Sequence, residues 1–241
     1  MAKLSELQSD NYFRGLVYGS SGAGKTCLAG VFAKDGPVEI LDFEGKVASI
    51  TNHFKNDKAV LDSIEVKQFN KLGEKEKIPA WLSRMSEIEL MLSKGQTLPF
   101  KTLILDSITA FTQSLMRDYV VRSLTTTKRA NEFTYSQSDY GYFKNQLISI
   151  IPNCLLRLPC NVLVLGHLET EKDDSTGVIS RKPMMPGKNA EEMPRWFDEV
   201  YVLKVAADGQ RVLQAQPDSQ YPIVRTQRGK PKEFKVEDIL K

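Results

Sequence analysis

Short apolar segments alternate with helical patterns along most of the chain, and turn residues separate them. Strands that are buried on both faces appear as nearly continuous apolar runs, and parallel neighbours need a crossover connection such as a helix. The pattern therefore predicts an α/β fold built on a mostly parallel, doubly wound sheet. The predicted strands are residues 14–18, 38–43, 63–68, 102–106 and 161–166.

Two prolines and a glycine set limits for the predicted helices. Pro79 takes the favoured first-turn position of one helix, and Gly95 closes that helix. Pro152 is expected to kink or divide another helix, because proline has no backbone N–H. The predicted helices are residues 25–34, 79–93, 110–123, 140–158 and 190–197.

The last third of the chain has a different pattern. Residues 199–205 and 210–216 flank an Ala-Ala-Asp-Gly turn, which predicts a β-hairpin that extends the sheet. We expect a single domain over residues 1–241, with an N-terminal tail at 1–11 and the hairpin and a basic C-terminal segment at 199–241. Polar stretches predict loops at residues 71–77, 125–139 and 170–188.

Composition excludes several classes of protein. With 41% hydrophobic and 26% charged residues, the chain has the balance of a globular protein and not of a disordered one. Its net charge is +3, so a nucleic-acid surface would have to come from local clusters of cations. Three cysteines without a CxxC pair indicate neither a disulfide framework nor a zinc site. The polar N-terminus and the absence of a long apolar run predict a cytoplasmic protein without a membrane partner.

Residues 19–26 have the sequence G-S-S-G-A-G-K-T, which matches the phosphate-binding loop GxxxxGK[ST] between a predicted strand and a predicted helix. Glycines let the backbone curl so that its N–H groups face the phosphates. Lys25 would neutralise phosphate oxygens and Thr26 would ligate magnesium, so the motif predicts ATP with Mg²⁺ as the ligands. The predicted nucleotide-binding residues are Gly19, Ser20, Ser21, Gly22, Ala23, Gly24, Lys25, Thr26, Cys27 and Asp106.

Two carboxylates are the next candidates for the site. Asp106 ends a buried strand at the sheet edge where doubly wound folds bind ligands, and it is predicted to hold magnesium together with Thr26. Ser107 follows it, whereas the water-activating Glu of AAA+ ATPases directly follows this Asp. The base must therefore come from elsewhere. Glu44, at the end of its own strand and before a glycine, is the predicted base, and Asp42 is the competing candidate.

His167 follows the strand at residues 161–166, and we include it with Lys25 and Glu44 among the predicted catalytic residues. An imidazole at that edge would contact the γ-phosphate or the attacking water and report hydrolysis to the following loop. A purely structural histidine is the alternative. His53 has no evident partner in the sequence and is assigned no role.

These motifs resemble those of RecA-type ATPases. The similar segments, from residue 14 to about residue 205, are Ile-Leu-Asp-Phe-Glu44-Gly, Leu-Asp106-Ser107-Ile-Thr-Ala, and Gly166-His167 followed by Pro186-Gly187-Lys188-Asn189-Ala190. RecA itself has an amide where His167 stands. The closest overall resemblance is to the small RecA-like NTPases of phages, which include the Sak-type single-strand annealing proteins and consist of a RecA core alone. The segments Ser138-Asp-Tyr-Gly-Tyr-Phe and Leu158-Pro-Cys-Asn-Val-Leu-Val-Leu-Gly-His167 resemble the central region of that group. The resemblance implies a RecA-like P-loop NTPase core in a phage or its bacterial host.

The resemblance also implies partners. It implies a homo-oligomer, either ring or filament, with ATP at the subunit interfaces, which assembles on single-stranded DNA and promotes annealing or recombination. A single-strand-binding protein is a further candidate partner, and hydrolysis would be stimulated by DNA. The implied nucleic-acid residues, which combine cations with stacking faces, are Arg122, Lys128, Arg129, Phe133, Tyr135, Arg181 and Lys182. The implied cations for a neighbour's site are Lys188, Arg225, Arg228 and Lys230.

Other classes of protein share the phosphate-binding loop. A small-molecule kinase should have an Arg-rich lid, and the predicted hairpin is not one. A GTPase needs Asn-Lys-x-Asp, but the nearest match, at residues 70–73, lacks the carboxylate. A nucleotide-gated loader or replication accessory protein that hydrolyses little ATP and binds little DNA remains the alternative.

Overall fold

The computed structural model describes residues 12–120, 135–173, 175 and 177–241. The described residues form one sheet of nine strands. The strands are β1 (Arg14–Gly19), β2 (Val38–Asp42), β3 (Ile64–Gln68), β4 (Thr102–Asp106), β5 (Asn161–Lys172), β6 (Ile179–Pro183), β7 (Glu199–Val205), β8 (Arg211–Gln214) and β9 (Glu233–Lys235).

Helices connect most of these strands. The α-helices are α1 (Leu28–Ala33), α2 (Ala48–His53), α3 (Lys58–Asp62), α4 (Glu74–Ser93), α5 (Ile108–Ser114), α6 (Gln137–Ile150) and α7 (Asn189–Glu192). Short 3₁₀ segments lie at Phe69–Lys71, Leu155–Arg157, Met193–Trp196 and Val236–Asp238, and a π-helical segment at Leu115–Val120.

The sheet has the order β3-β2-β4-β5-β1-β7-β8-β9, and β6 pairs with the outer part of β5. All strands from β3 to β7 in this order are parallel to their neighbours, whereas β8 and β9 are antiparallel additions at one side. Apolar side chains of α4, α5 and α6 cover one face of the sheet, and those of α1, α2 and α3 cover the other. The prediction of a mostly parallel, doubly wound α/β sheet extended by a C-terminal hairpin is confirmed.

Helix α4 differs from its prediction. It begins at Glu74 and not at Pro79, so most of the predicted loop at residues 71–77 is helical and Pro79 lies inside the helix. The side chain of Glu76 accepts a hydrogen bond from the Gly73 N–H at 3.1 Å, which satisfies a free donor at the helix start. Glu74 and Glu76 also place negative charge near the positive end of the helix dipole. These local charges stabilise a start of α4 at Glu74, which the apolar pattern did not indicate.

Other helix limits also differ from the predictions. Helix α6 ends at Ile150, just before Pro152, as the predicted break requires. Only part of the predicted helix at 190–197 is α-helical, because Met193–Trp196 forms a 3₁₀ turn. The predicted helix at 110–123 begins earlier, at Ile108, and its residues beyond 120 lie outside the described chain. Helices α2 and α3 were not predicted.

The predicted loop at residues 170–188 is wrong for residues 170–172 and 179–183, which form strands. Strand β5 continues to Lys172 and pairs antiparallel with β6, with Leu168 opposite Pro183 and Lys172 opposite Ile179. We refer to residues 168–183 as the ribbon. Its turn contains Gly177 in the left-handed region, with φ of 71°. Charged side chains on an exposed two-stranded ribbon hide the strand pattern, because the ribbon buries little apolar surface.

None of the helices in the described part of the chain has the length and apolar character that crossing a membrane would require.

Candidate nucleotide site

The parallel parts of four strands reach the same edge of the sheet and bring distant residues to one place. Gly19, the last residue of β1, lies opposite His167 of β5. On the other side of β5, Asp106 ends β4, and Asp42 lies opposite Asp106 at the end of β2. Glu44 follows two residues later. The carboxyl ends of parallel strands are where doubly wound sheets bind ligands.

The loop at residues 19–26 has the backbone shape that its glycines predict. Gly24 has φ of 96°, and a side chain there would also meet the Arg211 Nε at 2.3 Å. The Nζ of Lys25 donates to the carbonyl oxygens of Gly19 at 2.9 Å and Ser20 at 3.0 Å. Burial lowers the pKa of Lys25, with Glu44 as the main opposing charge. Phosphate oxygens are stronger, charged acceptors for the same ammonium group, so the buried Lys25 fits the phosphate role.

Thr26 and Asp106 form the candidate magnesium position. The Thr26 hydroxyl donates to Asp106 Oδ2 at 2.7 Å. Asp106 is 1% exposed, and its Oδ1 has no hydrogen-bond partner among the described residues. Burial raises the pKa of Asp106 to about 6. A buried, unpaired carboxylate oxygen is unfavourable, and carboxylate and hydroxyl oxygens are the ligands that magnesium prefers, so these residues fit the ion.

Glu44 and Asp42 have different environments. Glu44 Oε2 lies 2.9 Å from the Nε2 of His167. This hydrogen bond, assisted by one with Ser107, lowers the pKa of Glu44 against the effect of burial. Asp42 is fully buried, and its Oδ1 accepts the N–H groups of Glu44 at 3.0 Å and Gly45 at 2.7 Å. Asp42 therefore shapes the turn that presents Glu44, and the geometry favours Glu44 as the base.

His167 is also tied to the base of the ribbon. Its N–H donates to the Thr109 Oγ1 at 3.0 Å, and the Thr109 hydroxyl donates to the Met184 carbonyl at 3.2 Å. The Met184 N–H donates to the His167 carbonyl at 2.8 Å. The residue that holds Glu44 is thus held in turn by α5 and by the residue that follows β6.

A cavity of about 660 Å³ opens beside the loop and is lined by both Glu44 and His167. Among the lining residues that sequence reasoning did not assign to the site are three with basic side chains: Lys46, His53 and Arg211. Arg211 comes from β8, and its Nε donates to the Ala23 carbonyl at 3.0 Å. No local signal marks Arg211 or His53, because only the position of β8 and α2 in the fold brings them to the loop. Lys46 lies two residues after Glu44, so its closeness to the site could be predicted from the sequence.

The predicted nucleic-acid residues divide into two groups. Arg122, Lys128, Arg129 and Phe133 lie outside the described residues. In the ribbon, Lys182 Nζ lies 2.6 Å from Glu171 Oε2, and an Arg181 N–H donates to Gln220 Oε1 at 2.7 Å. The ring of Tyr135 packs edge-on against Tyr140, with centroids 6.2 Å apart. The two ribbon cations are thus engaged by side chains of the same chain.

Three of the four cations predicted to act in a neighbour's site make contacts within their own chain. Lys230 is 8% exposed and donates to the carbonyls of Asp238 at 2.7 Å and Lys241 at 2.8 Å. Arg225 donates to the carbonyls of Phe197 and Arg195, and Arg228 donates to Leu240. Lys188 is exposed immediately before α7. Lys188 has the exposure that contact with a neighbouring subunit requires.

A family model described as an AAA domain matches residues 11–222. No curated protein matches the sequence. Among solved structures, a unique ATP synthase subunit NeqB from Nanoarcheaum equitans is similar over 80% of this chain, with 15% sequence identity and a TM-score of 0.47. The similarity covers 46% of that subunit, so this chain spans less than half of its length.

Proposed function

Because the chain belongs to the AAA domain family, we propose that it is a magnesium-dependent ATPase in which Glu44 activates the attacking water. One observation supports this proposal above the others. Lys25, Thr26 and the Glu44–His167 pair line one cavity at this end of the sheet, and Asp106 is bonded to the Thr26 hydroxyl. A cation, a magnesium position and a candidate base are the parts that phosphoryl transfer to water requires.

The chain's own residues have distinct roles in this proposal. Lys25 would exchange its backbone carbonyls for β- and γ-phosphate oxygens, and Thr26 and Asp106 would hold the magnesium ion. When bound, the ion would neutralise charge on the phosphoryl group that is transferred. Glu44 accepts a proton from the water whose oxygen forms the new bond to phosphorus, while the bond from phosphorus to the ADP oxygen breaks. The proton then passes to the phosphate product.

His167 positions Glu44 and sets its basicity. The hydrogen bond from the imidazole lowers the pKa of Glu44, which keeps the carboxylate ionised but makes it a weaker base. Loss of this hydrogen bond would raise the pKa of Glu44 and free one of its carboxylate oxygens to bind water. A nucleotide whose γ-phosphate attracts the imidazole would therefore strengthen the base at the moment it is needed.

Replacement of Glu44 tests the proposed chemistry. Glu44→Gln should reduce kcat by roughly 10²- to 10⁴-fold while ATP binding survives, because the amide keeps the shape but accepts no proton. The exposed Glu65→Gln is the matched control and should leave both quantities unchanged. If Asp42→Asn abolishes turnover and Glu44→Gln does not, the assignment of the base is wrong. Steady-state phosphate release and binding of a labelled nucleotide measure the two effects separately.

The finer proposal is that hydrolysis is coupled to single-stranded DNA in a ring or filament with ATP at subunit interfaces. The resemblance to RecA-like proteins supports it. So does the contact of His167 with Thr109 and Met184, which connects the candidate base to the ribbon. Annealing or recombination of strands would be the outcome.

Binding of a labelled single strand in the presence of ATP tests this coupling. The affinity should fall as salt rises, and replacement of Lys128 and Arg129 should weaken it, because cations that contact phosphates release counterions. DNA should also raise the rate of ATP hydrolysis. An electron micrograph with an ATP analogue and single-stranded DNA should show an ordered assembly.

A nucleotide-gated loader is the second candidate function. The specific observation in its favour is that Lys182 and Arg181 of the ribbon are engaged by Glu171 and Gln220, which leaves them less available for phosphates. This reading predicts slow turnover and DNA binding that is absent or insensitive to salt with ATP present. Those results would contradict the DNA-coupled proposal and leave the assignment of the ATP site intact.

A further inference from the structure

The side chain of Arg211 reaches the phosphate-binding loop from a distant part of the chain. Arg211 is the first residue of β8 and pairs with Val205 of β7. Strand β7 in turn runs beside β1, with Leu203 opposite Gly19 at the start of the loop. These two strand pairings fix the backbone of Arg211 next to the loop.

A tight turn just before Arg211 defines its position further. Residues 206–210 connect β7 to β8, and the Ala206 N–H donates to the Gln210 carbonyl at 2.8 Å. Gly209 takes a left-handed φ of 82°, and its N–H donates to the Ala206 carbonyl at 2.9 Å. Because the turn is closed by its own hydrogen bonds, it leaves little freedom at the start of β8.

The guanidinium group of Arg211 is held at one nitrogen and open at the other two. Its Nε donates to the Ala23 carbonyl, and the side chain lies so close over Gly24 that a Cβ there would be 3.1 Å from the Arg211 Cζ. Among the described residues, the two terminal nitrogens have no hydrogen-bond partner and no carboxylate in ion-pair contact. Both terminal nitrogens carry N–H donors, so Arg211 offers donors and positive charge to a ligand.

The cavity of about 660 Å³ beside the loop has an excess of positive charge around Arg211. Of the described residues that line it, Lys25, Lys46 and Arg211 are cations. The carboxylate in the same lining is Glu44, which pairs with His167. A cleft lined mainly by one sign of charge attracts ligands of the opposite sign, so this cavity favours an anion.

Arg211 and the candidate base occupy different parts of this region. Arg211 also lines an adjoining cavity of about 630 Å³, whereas Glu44 and His167 do not. Arg211 therefore lies where the two cavities meet. A phosphate chain whose terminal group lies beside Glu44 would pass Arg211 at a phosphate group that is not transferred.

We propose that Arg211 binds the phosphate chain of the nucleotide from within the same chain, with its terminal nitrogens on oxygens that are not transferred. The bond from Nε to Ala23 holds the guanidinium in place before the ligand arrives, so little side-chain freedom is lost on binding. Such a contact is equally strong before and during transfer, so it lowers KM and leaves kcat unchanged. The proposal rests on the proposed function, because it needs phosphates on the loop.

Two substitutions of Arg211 separate its charge from its packing. Arg211→Gln keeps an N–H donor but removes the charge, and it should weaken Mg-ADP binding roughly tenfold to a hundredfold, the usual effect of losing a charge-assisted contact. Arg211→Lys keeps the charge without the planar fork, so it should bind Mg-ADP at least about fivefold more tightly than Arg211→Gln. Isothermal titration measures both, and the difference should shrink as salt rises.

The steady-state kinetics of ATP hydrolysis test where Arg211 acts. Arg211→Gln should raise KM by a factor similar to its loss of affinity and leave kcat within about twofold of wild type, the opposite of the effect of Glu44→Gln. Lys232→Gln is the matched control, because Lys232 is an exposed cation that lines neither cavity, and it should change neither quantity. Circular dichroism of each variant checks that the fold is retained.

Three results would overturn this role of Arg211. The first is unchanged Mg-ADP affinity in Arg211→Gln, the second is an equal loss of affinity in Arg211→Lys and Arg211→Gln, and the third is a lower kcat at unchanged KM. In each case, Mg-ADP binding that wild type shows and Lys25→Ala abolishes would leave the proposed function standing. If wild type binds no Mg-ADP, the proposed function fails, and the role of Arg211 fails with it.

Discussion

Replacement of Asp106 by asparagine should stabilise the nucleotide-free protein at neutral pH and remove its magnesium site. Burial raises the pKa of Asp106 from its ordinary 3.8 to about 6, a difference of about 2 pKa units. Each pKa unit corresponds to about 1.36 kcal/mol, so the ionised side chain destabilises the folded state by up to about 3 kcal/mol. Asparagine has the same shape without the charge, and its carbonyl oxygen can still accept the Thr26 hydroxyl.

The pH dependence of this effect has a definite sign. A carboxyl whose pKa is higher in the folded state favours folding below about pH 3.8, and this contribution is lost as pH rises through about 6. The free energy of unfolding of Asp106→Asn should therefore exceed that of wild type by an amount that grows between about pH 4 and pH 7 and is constant above.

Urea unfolding followed by circular dichroism, with EDTA and without nucleotide, measures the difference at each pH. The exposed Asp62→Asn is the control, and its difference from wild type should not grow in this way. With Mg-ADP added, wild type should gain stability and Asp106→Asn should not. A variant that is less stable than wild type at pH 7.5, or a difference that does not change with pH, would refute the reasoning.

Two further predictions concern other parts of the molecule. Glu39 is 1% exposed and is bound by two nitrogens of Arg84. Arg84→Met should therefore lower the free energy of unfolding in urea by about 3–5 kcal/mol, because it leaves a buried charge unpaired. The control Glu87→Gln should change it by less than about 0.5 kcal/mol, and equal effects of the two variants would contradict this prediction. Gly24→Ala should weaken Mg-ADP binding, because a left-handed φ of 96° disfavours alanine and the methyl group would displace Arg211. Unchanged Mg-ADP affinity would show that neither the backbone conformation nor the position of Arg211 matters for binding.

Part of the candidate site was predictable from local sequence. The loop at residues 19–26 carries its chemistry in consecutive residues, and Asp106 ends a continuous apolar strand. Both features depend on neighbours in the chain. Glu44 could also be predicted from the sequence, because it lies two residues after the end of β2 and precedes Gly45. Its contact with His167 was not, since the two residues are far apart in sequence and meet only when β5 lies between β1 and β4.

The predictions about the fold that were wrong have physical causes of the same kind. The ribbon was predicted as a loop, because charged residues such as Glu171 and Lys182 pair with each other across two exposed strands and leave no apolar pattern. The start of α4 was placed too late, because Glu76 stabilises the first turn by a hydrogen bond and not by burial. Periodicity detects only those elements whose position depends on an apolar face.

The sequence by itself determined the parallel sheet, the phosphate-binding loop and the carboxylates at the strand ends, because each depends on residues within a few positions of one another. Only the tertiary structure decided that β7 lies beside β1, which carries β8 and Arg211 over the loop. It also decided that Phe54 rests against α1 at Gly30. Such contacts depend on the order of strands and the packing of helices, and no short segment of sequence contains that information.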